Sequence, residues 1–292
     1  MAKRERLGDW IQPHPHGIYV APADAWIDPS EPSPRALVTH GHADHARGGH
    51  DRVWATPETL AIMDARYGPQ TGEPVAYGET IRLGEVDVGY VPAGHVLGSA
   101  QIVLDYRGER VVVSGDYKRR PDPTCAGFEP VKCDVFVTEA TFALPVFRHP
   151  DTGDEIDKLI ARLHANPDRC VLVGAYALGK AQRVIAELRD RGHHAPIYLH
   201  GALQRLCDLY EELGVRLGEL RPATGAAKKD VAGHVVMCPP GALNDRWSRR
   251  LPDPPREVWV THGREEALVH WCEQRQIKAR ALALVGYEDE DD

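Results

Sequence analysis

No apolar run in this 292-residue chain approaches the roughly 18 residues needed to cross a bilayer, so a membrane-spanning helix is not expected. There is no C-x-x-C pair either. The six cysteines are scattered and mostly lie in or beside apolar runs, as in Cys170-Val171-Leu172-Val173. That reads as reduced core thiols in a cytoplasmic protein and argues against a disulfide framework or a cysteine metal site. The basic start, Met1 to Arg6, runs into Leu7-Gly8-Asp9-Trp10 instead of an apolar stretch, so no signal peptide is expected. Positive charge is not in excess. A net charge of −8 disfavours a protein that coats nucleic acid through its bulk field, although the acidic tail Glu288 to Asp292 supplies part of it.

What is plentiful is histidine, fifteen in all, and its clustering carries the first chemical signal. Several short apolar runs end in a polar residue. Arg35 to Thr39 leads to His40, Arg110 to Ser114 to Gly115-Asp116, Cys133 to Thr138 to Glu139, and Glu257 to Thr261 to His262. Each reads as a buried strand with a functional group just past its C-terminal end, where layered α/β folds place their chemistry. The first half is β-rich, with hairpin signals at Gly84 and Gly89 and a turn at Arg107-Gly108. From about Asp151 helices alternate with strands: Glu155 to Ala165, Cys170 to Val173, Gly179 to Arg191, Pro196 to Leu199, Leu203 to Leu213 and Val235 to Cys238. This rhythm predicts a small parallel-sheet unit inserted at 151–254, between a first domain over 1–150 and its completion by a strand and helix over 255–292.

Thr39-His40-Gly41-His42-Ala43-Asp44-His45 is the most specific pattern in the chain. Histidines two apart at a strand end can aim both imidazoles at one metal ion, and Asp44 and His45, one turn on, can serve a second. His95 in Ala93-Gly94-His95 would alone read as an ordinary loop histidine. Asp116 stands where a carboxylate can bridge two ions, and His262 is a late histidine after a strand. The expected sets are His40, His42, His95 and Asp116 for one ion, and Asp44, His45, Asp116 and His262 for the other. Imidazole and carboxylate donors suit two Zn²⁺, and Mn²⁺ also fits. Ions about 3.5–4 Å apart can hold a bridging hydroxide and clamp a phosphoryl oxygen.

These residues, in this order, resemble the metallo-β-lactamase superfamily. Glu139 in Val137-Thr138-Glu139-Ala140-Thr141 and the stretch Val173 to Gln182 resemble marks of its β-CASP nuclease branch. Nearly end to end the chain is similar to bacterial ligase-associated DNA damage response exonucleases, through Gly17-Ile18-Tyr19, Ala55-Thr56-Pro57-Glu58-Thr59-Leu60, Gly115-Asp116-Tyr117-Lys118 and Thr261-His262-Gly263. The resemblance implies an αββα sandwich with a shortened β-CASP α/β insert, and an activity on DNA ends beside an ATP-dependent ligase and a helicase. It implies a catalytic pair, Asp44 and Glu139, and nucleic-acid contacts at Lys118 and at Ala177, Leu178, Gly179 and Lys180, where a helix N-terminus faces phosphate.

One stretch departs from that pattern. After Trp247 to Pro254 the family continues for several tens of residues and carries a His-Ala-Asp motif whose histidine assists the leaving group. Here Pro255-Arg256-Glu257 leads at once to the His262 strand, and the one His-Ala-Asp is His42-Ala43-Asp44. In-line hydrolysis of a phosphodiester, with Asp44 orienting or deprotonating the nucleophile, is the expected reaction. A metal- and DNA-binding scaffold that does not cut is the alternative this gap raises. An RNA nuclease and a thioester or lactam hydrolase are the others; the inserted α/β unit speaks against the last.

Overall fold

The computed structural model describes residues 8–141, 150–243, 247–248 and 251, with the backbone alone of 244, 257–260 and 278–281. Two compact units divide the chain between Thr141 and Phe142.

The first unit pairs two sheets. One has the order β1 (Ile11–His14), β2 (Gly17–Val20), β3 (Ala25–Ile27), β4 (Ala36–Leu37), β5 (Val53–Ala55), β6 (Gly72–Pro74). The other comprises β7 (Thr80–Leu83), β8 (Val86–Pro92), β9 (Ala100–Tyr106), β10 (Glu109–Val113) and β11 (Val135–Val137), ordered β11-β10-β9-β8-β7. Alternation along β8, buried at every second residue from Val86 to Pro92, turns one face inward. Val86, Val88, Tyr90, Ile102, Leu104, Val111 and Val113 thereby meet Val20, Ile27, Leu37 and Trp54 in one core. Tyr90 is wholly buried, and its hydroxyl donates to Trp54 O at 2.7 Å, so the ring's polar end is satisfied inside that core. On the other face of the first sheet, Leu60 and Met63 of α1 (Pro57–Tyr67) pack on Ala36, Val38, Val53 and Ala55. Thr56 caps that helix by accepting from Thr59 N, and Pro57 starts it.

The expected β9–β10 turn is present: Arg107 and Gly108 both have positive φ, 48° and 83°, as a two-residue hairpin of the primed type requires. Gly84 likewise sits between β7 and β8. Gly89 does not turn the chain; it lies inside β8, opposite Thr80 and Val103. The strand expected from Arg35 to Thr39 shrinks to Ala36–Leu37, because Val38 and Thr39 spend their hydrogen bonds on Trp54 O and the Asp28 carboxylate.

The second unit alternates as expected: α2 (Thr152–His164), β12 (Val171–Gly174), α3 (Lys180–Asp190), β13 (Ile197–Leu199), α4 (Gly201–Glu212), β14 (Leu220–Pro222), α5 (Lys228–Val231) and β15 (Val235–Cys238). Its sheet is parallel, in the order β14-β13-β15-β12-β16-β17, where β16 is Glu257–Val260 and β17 Lys278–Ala281. The backbone of β16 lies beside β12 in the second unit's sheet. Leu251 is held in the second unit's core. Among the described residues no helix is long and apolar enough to cross a membrane.

Candidate metal centre

The centre grows from the ends of β4 and β10 and from the loop before β9, all in the first unit. Past β4, Thr39 and His40 continue extended, and the chain then turns tightly, with His45 N and Ala46 N both donating to His42 O at 3.1 and 2.7 Å. That turn brings Asp44 and His45 round to the side of His40. The loop before β9 brings His95, whose backbone N–H and that of Val96 both donate to Ser99 Oγ, at 2.9 and 3.1 Å. Asp116 follows β10 through Gly115, whose φ of 54° a side chain would strain.

His40, His42, His95 and Asp116 converge, each offering one ligand atom within 4.8 Å of all the others. His40 Nε2 and His95 Nε2 each stand 3.1 Å from His42 Nδ1, and Asp116 Oδ2 lies 3.8 and 3.5 Å from His40 and His95. Donors about 2.0–2.1 Å from a tetrahedral zinc stand about 3.3 Å from one another, so these spacings fit one such ion. Burial suits the purpose too: His40, His42 and His95 are 0%, 6% and 3% exposed. Burial, reinforced by the neighbouring His45, His42 and His95, pushes His40 well below the ordinary imidazole range, towards the neutral form that keeps a lone pair for a cation.

The second expected set is assembled in part. Asp116 Oδ1 is 3.4 Å from His45 Nε2, which is also 3.4 Å from Asp44 Oδ2. Asp116 thus turns one oxygen to each group, a geometry that a bridging carboxylate can use. His262, the remaining expected donor, lies outside the described residues. Burial opposes a charged His45, but the hydrogen bond and charge of Asp28, with Asp116 and Asp44 behind it, raise its pKa to about 9. Burial raises Asp116 to about 6; His45 opposes this, while Glu139, Asp44 and Asp28 add to it. Crowded carboxylates and imidazoles of this kind are in balance once cations are shared among them.

A cavity of about 270 Å³ opens on this side of the group, and Asp28, Asp44, His45, Asp116, Thr138 and Glu139 are among its walls. Glu139 is therefore brought to the site, where its Oε2 accepts from Thr141 N at 3.0 Å. Asp28 was missed from sequence. It ends β3 with a positive φ of 46°, receives His45 Nδ1 at 2.8 Å, and accepts from Thr39 N and Oγ1 at 2.8 and 2.6 Å. Its signal was the same as that of the other strand-end groups, a short apolar run, Ala25-Trp26-Ile27, ending in an acid before Pro29.

Two expected nucleic-acid contacts are corrected. Lys118 is 3% exposed and its ammonium pairs with Asp122, itself buried and bound to Thr124 N and Oγ1 at 2.9 and 2.6 Å. Lys180 is fully buried at the start of α3, and Leu178 is 1% exposed. Neither ammonium is presented to solvent. Ala177 is half-buried, its carbonyl accepting from Gln182 Nε2 at 2.8 Å, and Gly179 opens α3 with φ 79°. His200, a strand-end histidine of the second unit, caps α4 by accepting from Ala202 N at 3.1 Å and packs edge-on against Trp247.

The chain is 30% identical over 249 residues to a probable DNA ligase from Opitutus terrae, a match covering 83% of this chain and 24% of that one. It is 29% identical over 224 residues to a ribonuclease from Thermus thermophilus, covering 64% of this chain and 51% of that one. Neither match fits within the first unit, which ends at Thr141, so both take in the second unit as well. The chain belongs to the β-CASP branch of the metallo-β-lactamase superfamily. No family model matches it. This β-CASP chain spans about a quarter of the ligase relative and about half of the ribonuclease. Its fold is shared with a protein of unknown function from Enterococcus faecalis, at a TM-score of 0.56 and 12% identity, over 87% of this chain and 70% of that one.

Proposed function

We propose that this β-CASP protein is a metal-dependent phosphodiester hydrolase acting on DNA ends. The observation that carries this reading is the position of Asp116, one oxygen towards the His40, His42 and His95 group and the other towards His45, on the wall of an open cavity. His40, His42, His95 and Asp116 would hold one ion, and Asp44, His45, Asp116 and His262 a second; Zn²⁺ suits the donors, and Mn²⁺ is compatible. Bound there, such ions supply Lewis-acid stabilisation of a phosphoryl oxygen and a water of lowered pKa.

The chain's own residues do the rest. Asp44, its side chain 60% exposed at the cavity wall, would accept a proton from the attacking water. Asp28 holds the His45 ring by its Nδ1, and so aims Nε2 at Asp116 and Asp44. Glu139 lies in the same cavity, where relatives with a complete motif pair it with the histidine this chain lacks. At the start of α3, Lys180 is buried, and the N–H groups of Lys180 and Ala181 donate to Leu178 O and Tyr176 O at 3.0 and 3.1 Å.

DNA is preferred over RNA because a protein named a probable DNA ligase carries a matching segment over about a quarter of its length. That arrangement supports action beside a ligase, with a helicase as the further expected partner. The Thermus relative, named a ribonuclease, favours RNA as the second reading. The test is metal-loaded protein with end-labelled single- and double-stranded DNA and RNA, with Asp116→Ala alongside. Shortening of DNA that requires metal and disappears in Asp116→Ala supports the proposal. Cleavage confined to RNA would replace it with the second reading. Binding of metal and DNA without cleavage would establish a scaffold instead.

A further inference from the structure

Asp28 Oδ2 receives two groups at once, His45 Nδ1 at 2.8 Å and Thr39 Oγ1 at 2.6 Å. Thr39 Oγ1 in turn lies 3.0 Å from His40 Nδ1. A hydroxyl has one proton, and a carboxylate oxygen can only accept. The Thr39 proton is therefore spent on Asp28, and the hydroxyl lone pairs are left to accept from His40. The chain of donors runs His40 Nδ1–H to Thr39 Oγ1–H to Asp28 Oδ2. With Nδ1 carrying the proton, the neutral His40 ring holds its lone pair at Nε2, the atom 3.1 Å from His42 Nδ1 and 3.8 Å from Asp116 Oδ2.

We infer that Thr39 is a positioning residue that fixes the His40 tautomer, so that one carboxylate oxygen, Asp28 Oδ2, orients a ring in each half of the centre: His45 directly and His40 through the Thr39 hydroxyl.

The surroundings hold Thr39 to this task. Its side chain is 1% exposed, its own N–H donates to Asp28 Oδ1 at 2.8 Å, and its carbonyl accepts from Ala100 N at 2.8 Å. Gly115, after β10, lies beside it with no side chain to intrude: a Cβ at 115 would stand 2.7 Å from both Thr39 Cβ and Thr39 Oγ1. The direction of the hydroxyl is set by Asp28, which takes its proton. The same Gly115 carries the chain into Asp116. The group that locks the His40 tautomer and the bridging carboxylate are thus built against one another.

The inference rests on reading the cluster as a metal centre, and two measurements separate the two. The first is zinc affinity by competition with a chromophoric chelator, for the parent, Thr39→Val and Thr39→Ser. Valine keeps the shape and removes the hydroxyl. Loss of such an outer hydrogen bond typically weakens binding about 10–100-fold. We expect that loss in Thr39→Val, and affinity close to the parent in Thr39→Ser. If the parent binds zinc and Thr39→Val binds it equally well, the Thr39 inference is wrong while the metal centre stands. If the parent binds no zinc, the reading of the centre fails. The second measurement needs no variant and no metal: long-range ¹H–¹⁵N correlations of the parent report which His40 nitrogen bears hydrogen. Hydrogen on Nδ1 is expected, and a ring protonated at Nε2 alone would overturn the inference even if Thr39→Val does not fold.

Discussion

Lys118 separates two accounts of this protein. Sequence placed it beside Asp116 as a phosphate contact; the structure makes it half of a buried pair with Asp122, the two side chains 2% and 0% exposed. Asp122 keeps Thr124 N and Oγ1 on its other oxygen, so Lys118→Met would remove the ammonium from a buried carboxylate while leaving those two bonds in place. Breaking one partner of such a pair costs about 3–5 kcal/mol. Replacing both, as Lys118→Met with Asp122→Leu, should cost clearly less than the sum of the single changes, because no charge is left unpaired. The assay is urea denaturation of the three variants, followed by DNA titration of each folded protein at fixed salt. The structural account expects a large loss of stability in Lys118→Met with DNA affinity unchanged. Unaltered stability with weakened, less salt-dependent DNA binding would refute it and restore Lys118 as a phosphate contact.

Ser99→Ala should destabilise the protein by roughly 2–4 kcal/mol in the same denaturation assay, since two buried N–H groups, of His95 and Val96, lose their common acceptor. It should also weaken zinc binding through a displaced His95; a variant with parental stability would contradict that role. Gly115→Ala meets Thr39 and requires a positive φ, so a cost of at least about 2 kcal/mol is expected, visible as a lowered melting temperature. A stable Gly115→Ala protein would mean that Thr39 is free to move.

Much of the centre was legible because its signals are local. Two histidines separated by one residue after a short apolar strand can only reach a shared point, and Asp44 and His45 follow within a single turn. His95 and Asp116 were readable by type and setting, one in a Gly-flanked loop and the other just past an apolar run. The second unit's helices and strands matched their periodicity to within a few residues, since α3 and α4 each show a long apolar stripe. Asp28 was missed although its strand-end pattern was present, because nothing within its own segment says that it meets Thr39 and His45.

Sequence by itself determined which side chains could serve a metal and that His40 and Asp116 each follow a short apolar strand, since both follow from residue type and from backbone periodicity over a few positions. Tertiary structure alone decided the rest. Contact between His42 and His95, 53 residues apart, depends on how two sheets stack. Whether a lysine faces solvent or is buried depends on what packs around it in the folded chain, as Lys118 and Lys180 demonstrate. The Val258-Trp259-Val260 strand carries apolar character enough for any sheet, and the free edge of β12 decided which one it joined. In each case the deciding energy lies in contacts between residues distant in the chain, to which local pattern is blind.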